Sequence, residues 1–73
     1  HCMASSKVEV ESVKRQVDIY KQLKKSVDAQ DLASYDKVDM YKQMRKQLHA
    51  SMKRYHREGK GDLAKIISQS LTA

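Results

Sequence analysis

Proline, tryptophan and phenylalanine are absent from this 73-residue chain, and glycine occurs only twice. Strands, hairpins and irregular loops take their punctuation from those residues, so their scarcity argues against a β-rich fold and leaves helix as the default. Cysteine occurs once, which rules out an intrachain disulfide. That residue, Cys2, lies in the run His1-Cys2-Met3-Ala4-Ser5, which reads as a cloning-derived leader. Residues 1–6 are therefore expected to be an added or disordered tail without function. No apolar run approaches the roughly 18 residues of a membrane span, and no charged-then-apolar leader precedes the body of the chain. The expectation is a soluble, intracellular protein without a membrane span.

Length adds a constraint of its own. A chain this short supports one domain at most, and it buries only about 60% of its unfolded surface. Small scaffolds persist by adding disulfides, a metal, very regular helix packing or a partner chain. With the first two unsupported, residues 7–73 are expected to form a single helical module that self-associates as a homo-oligomer.

What is abundant is positive charge and apolar residues at helical spacing. Fifteen Lys and Arg against nine Asp and Glu leave a net charge of +6, which raises local concentration near polyanions and acidic protein faces. Apolar side chains fall at Val10, Val13, Val17, Tyr20, Leu23 and Val27, and again at Val38, Tyr41, Met44, Leu48, Met52 and Tyr55. Every step in each series is three or four residues, the signature of an amphipathic helix. The run Arg57-Glu58-Gly59-Lys60-Gly61-Asp62 interrupts the pattern, with Gly to accept left-handed dihedrals and Asp62 to cap the next helix. Leu63, Ile66, Ile67 and Leu71 then mark that short third helix. The predicted helices cover about 7–28, 32–57 and 63–71.

The segment between the first two helices, Asp28 to Ser34, breaks the stripe with polar residues, and Asp31 and Ser34 are good N-cap types. A turn there yields an all-α antiparallel hairpin plus a short C-terminal helix. A rival comes from an internal echo, Val17-Asp18-Ile19-Tyr20-Lys21-Gln22-Leu23 against Val38-Asp39-Met40-Tyr41-Lys42-Gln43-Met44. The offset of 21 residues is three heptads, which also suits one long continuous coiled-coil helix. Two features favour the hairpin. Asp31-Leu32-Ala33 matches Asp62-Leu63-Ala64, where a helix must start after the Gly turn. Ile19 and Met40 also widen the stripe beyond a two-position seam.

The sharpest surface feature is the set Lys42, Arg45, Lys46, His49, Lys53, His56, Arg57 and Lys60, all spaced to share one face of the second helix, about a third of a turn from the apolar stripe. That face can meet carboxylates or phosphates while the helix stays packed. The plainer alternative is that Asp36 and Asp39 near the start and cations near the end complement the helix dipole, with lysines simply solvating an exposed side. No zinc-finger spacing, recognition-helix order or aromatic-rich strand marks a nucleic-acid fold.

The remaining residue types have ordinary explanations. Val13, Val17, Tyr20, Leu23, Val27, Val38, Tyr41, Met44, Leu48, Met52, Tyr55, Leu63, Ile66 and Ile67 form the expected packing and association face, with tyrosine hydroxyls reaching its rim. Met40, Met44 and Met52 supply soft surface that fills uneven gaps. His49 and His56, seven residues apart, are too distant to share a metal and have no nearby ligand partners. They add charge to the stripe at mildly acidic pH. Glu9 with Glu11, and Asp28 with Asp31, read as caps and solubilising charge. No nucleophile paired with a base, opposed carboxylates or Gly-rich phosphate loop is present. No catalytic residue, cofactor, metal or small-molecule substrate is expected. The leading function is a helical interaction and oligomerisation module docking an acidic protein surface. The alternatives are a nucleic-acid binder reading the phosphate backbone without sequence preference, and a purely structural coiled-coil segment.

Overall fold

The computed structural model describes residues 4–29 and 35–72. Three α-helices account for most of them: α1 (Lys7–Asp28), α2 (Tyr35–Arg57) and α3 (Gly61–Thr72). The turn expected at Asp31 and Ser34 lies outside the described residues.

Local chemistry sets the helix ends. Ser6 caps α1: its hydroxyl accepts from the Glu9 N–H at 3.2 Å, and the Glu9 carboxylate accepts from the Ser6 N–H at 3.3 Å. This reciprocal capping box satisfies two of the otherwise orphaned amide groups. Ser5 is anchored as well, its N–H and hydroxyl donating to the Asp62 carboxylate at 3.0 and 2.9 Å. Ser5 and Ser6, expected to belong to a disordered tail, are thus part of the fold, because each has an acidic acceptor that the linear sequence places three or 57 residues away. The same end of the bundle holds the turn at Gly59, whose φ of 77° is the left-handed value that glycine adopts without steric cost. Gly59 N–H donates to the His56 carbonyl and Lys60 N–H to the Tyr55 carbonyl. These paired bonds close the α2 C-terminus as a Schellman motif. Asp62 does not sit ahead of α3 as an N-cap but in its first turn, where its carboxylate accepts from Leu63 N–H at 2.9 Å.

Contacts between helices pair late residues of α1 with early residues of α2. Tyr20 and Tyr41 stack with centroids 5.5 Å apart and planes 15° off parallel, and Lys37 Nζ donates to the Ser26 hydroxyl at 3.3 Å. The two helices therefore run in opposite senses across this stretch. In one unbroken helix the two rings, 21 residues apart, would be separated by about 31 Å, so the continuous rod is not the arrangement adopted. α3 returns from the Gly turn to lie against both partners, its start beside Ser5 and its body along α1 and α2.

Burial follows from where α3 reaches. Val13, Val17, Tyr20, Leu48, Leu63 and Ile67 form the buried cluster, and Val10, Tyr41, Met44, Met52, Tyr55, Ile66 and Leu71 pack against it. Leu23, Val27 and Val38 share the same apolar stripe yet are only half-buried and stand outside that cluster. The expected packing face thus splits in two. Among the described residues α3 covers Gly61–Thr72, and the α1 C-terminal turns and α2 N-terminal turns have one described helical neighbour where the rest of the bundle has two.

Candidate binding face on the second helix

α3 lies along the side of α2 that carries the cations. Lys42, Lys46, His49 and Lys53 line a groove of about 730 Å³ whose far wall is Leu71 and Thr72. Met52, Ala50 and Ser68 also line it. The groove continues toward the Gly turn past His56, Ala64 and Lys65. It therefore offers an apolar strip between Met52 and Leu71, bordered by ammonium groups on four-carbon stems.

The eight expected face residues are not equivalent. Lys42, Lys46, His49, Lys53, His56 and Arg57 are exposed, and among the described residues none of them has a carboxylate within ion-pair distance. Lys60 differs, because its ammonium meets the Glu9 carboxylate at 2.8 Å. The hydrogen bond from Lys60 lowers the Glu9 carboxyl from its ordinary value, and the same bond raises Lys60. Lys60 therefore ties the Gly turn to the first turn of α1 and leaves the partner-facing set. Arg45 is intermediate. Its guanidinium donates to the Tyr20 hydroxyl at 3.0 Å while the residue itself remains exposed.

Tyr20 explains that contact. Its ring is fully buried, and a buried phenol needs a partner for its hydroxyl. Tyr41 at 3.5 Å and Arg45 provide one each. Burial raises the Tyr20 phenol above its ordinary value, with the hydrogen bond to Tyr41 adding to the rise. The Tyr20 hydroxyl in turn raises Arg45, which stays cationic. Arg45 thus holds the α1–α2 contact as well as bordering the groove.

Three further residues shape the site although they are absent from the expected face. Lys65 adds a cation on α3, while Ser68 and Thr72 keep that wall low and polar. Thr72 turns its hydroxyl back onto the Ser68 carbonyl at 3.0 Å. The signal for this wall was the spacing of Ala64, Ser68 and Thr72, four residues apart and small enough to leave room beside the long side chains of α2.

Elsewhere the cations do structural work or lie on other faces. Arg54 sits over the Tyr55 ring at 5.0 Å, on the side of α2 away from α3. Among the described residues no three His, Cys, Asp or Glu groups converge on a point that could hold a metal ion, and no helix is long and apolar enough to cross a membrane. Comparison with models of known protein families, with characterised proteins and with solved structures finds no match.

Proposed function

We propose that this chain is a non-enzymatic helical interaction module: an antiparallel hairpin closed by a short third helix, which self-associates and docks an acidic protein segment in the groove between α2 and α3. The observation that carries the docking is the set of Lys42, Lys46 and Lys53, exposed along an apolar strip and unpaired with any described carboxylate. Cations that served only to hold the fold would resemble Lys60, which has its carboxylate within 2.8 Å. A helix with acidic residues on both flanks of an apolar stripe fits such a groove, because its aliphatic anchors meet Met52 and Leu71 while its carboxylates reach the rim. Rim charges of this kind steer encounter and set specificity more than they add affinity.

The test uses a labelled synthetic helix with Leu on one stripe and Glu on both flanks, titrated by fluorescence anisotropy, with duplex DNA as the competing probe. Lys46→Glu with Lys53→Glu is the informative variant, since neither side chain supports the fold. Arg45→Glu would place a carboxylate against the Tyr20 hydroxyl and confuse docking with stability. Saturable peptide binding that weakens about tenfold or more in the double variant, a loss of at least 1.4 kcal/mol, with helicity unchanged, supports the reading. Peptide binding indifferent to the charge reversal overturns it. Preference for duplex DNA, with affinity falling by orders of magnitude between about 50 and 200 mM salt, assigns the face to a phosphate backbone instead.

A further inference from the structure

The groove between α2 and α3 does not stop at α2. Ala50 lines it and also lines a second furrow of about 560 Å³, where α2 meets α1 beside Gln16, Gln47, Ser51, Arg54 and Arg57. The two depressions therefore adjoin across the outer surface of α2, and Ala50 is the point at which they meet. On a helix, residues three, four and seven positions away share a face with a given residue. Around exposed Ala50 these include Lys46, Gln47, Lys53, Arg54 and Arg57, all long and all exposed. A methyl group inside such a ring makes a saddle, low at its centre and cationic around its edge.

Charge along this path is of one sign. No Asp or Glu lines the groove or the furrow, in a chain that contains nine. The cleft lined by Lys14 and Lys21 is different, because Asp18 lies between the two lysines. Among the described residues Lys46, Lys53, Arg54 and Arg57 have no carboxylate within ion-pair distance. The α2 dipole accounts for cations in the last turn, where Arg54 and Arg57 lie. It does not account for Lys46, about two turns before Arg54, or for a continuous path without a carboxylate.

We infer that an acidic run of the docked partner leaves the groove, crosses the saddle at Ala50 and ends on Arg54 and Arg57. This rests on the docking proposed above and extends its footprint to a second face of α2. The two parts of the path suit different conformations. The groove has two helical walls and an apolar strip between Met52 and Leu71, which fits a helix. The saddle is the convex outside of a single helix, so a chain crossing it is extended and held by its charges. Crossing one helix diameter of about 10–12 Å takes about four extended residues at roughly 3.3 Å each. At the far end, guanidinium forks match carboxylates two bonds at a time, and Gln16, Gln47 and Ser51 offer further donors.

The test measures labelled synthetic peptides against the whole chain by fluorescence anisotropy at low ionic strength. One peptide is the Leu-striped, Glu-flanked helix alone. The others carry about six additional Asp residues, enough to span the saddle with slack, at the N-terminus or at the C-terminus. One tailed peptide is expected to bind about fivefold more tightly than the untailed helix, the size of two exposed ion pairs. Arg54→Gln with Arg57→Gln is expected to abolish that gain while the untailed helix binds as before and helicity is retained. Lys14→Gln with Lys21→Gln removes the same charge from another face and is expected to leave the gain intact, which separates a contact from general attraction to a basic chain. No gain at either terminus, or a gain lost equally in both double variants, overturns the inference and leaves the groove reading standing. No binding of the untailed helix discards the groove reading. A tailed peptide that still needs Arg54 and Arg57 then supports the saddle by itself, and one that does not removes both. Oligothymidine that displaces the tail from Arg54 and Arg57 more strongly than a free run of Asp assigns the saddle to phosphates and overturns the inference as well.

Discussion

The two ends of the bundle are built from the same apolar periodicity and reach different outcomes. Where α3 lies against α1 and α2, Val13, Val17, Tyr20 and Leu48 are buried together with Leu63 and Ile67. Away from the described part of α3, Leu23, Val27 and Val38 continue the stripe at the same spacing and are half-buried. A stripe therefore specifies a helix and its inward side, while the degree of burial depends on how many neighbours close over it. The three-helix end supplies stability, and the two-helix end offers surface.

Substitutions should separate the two ends by magnitude. Ile67→Ala removes a fully buried side chain from the three-helix end and is expected to cost about 2–5 kcal/mol. Leu23→Ala, measured in chemical denaturation at high dilution, should cost about 1 kcal/mol or less because its partial burial is worth only part of the transfer energy. Equal costs would erase the distinction. Gly59→Ala falls between them, since an L side chain at a left-handed φ costs about 1–2 kcal/mol. Tyr20→Phe should cost about 1 kcal/mol by removing the hydroxyl that Arg45 and Tyr41 share, and Arg45→Ala in that background should add little if the two act as one contact.

The smallest effect concerns pH. Glu9 is lowered by its hydrogen bonds with Lys60 and Ser6, and Asp62 by those from Ser5. The unfolded chain takes up these protons more readily, so the stabilisation is present above the ordinary values of 4.5 and 3.8 and is lost as pH falls through the lower folded values. Thermal melting followed from pH 6 to pH 3 should show the midpoint fall in that window, and Glu9→Gln should flatten the fall. An unchanged slope in that variant would detach the Lys60 contact from stability.

Much of this was legible in the residues. Steps of three and four marked all three helices, and the run from Gly59 to Gly61 marked the break, because backbone preference and hydrophobic period act over a few positions. Contacts across large separations were not legible: Lys60 with Glu9 and Ser5 with Asp62 lie 51 and 57 residues apart. Lys60 looked like its neighbours on the basic stripe because its spacing is the same, and only the return of the chain past α1 sets it apart. The side of α2 chosen by α3 was equally hidden, and that choice decides which cations border a groove. Ile19 and Met40 registered as a widening of the stripe, and their excess breadth became exposed surface once α3 packed on the other side.

Amide hydrogen exchange, resolved by residue and repeated at low and high protein concentration, bears most directly on the contrast between the ends. The expected result is that amides around Val13, Leu48 and Ile67 are strongly protected at both concentrations, while those from Ile19 to Asp28 and from Val38 to Met44 gain protection only as concentration rises. Uniform protection along all three helices, unaffected by concentration, would contradict both the division of labour and the proposed self-association.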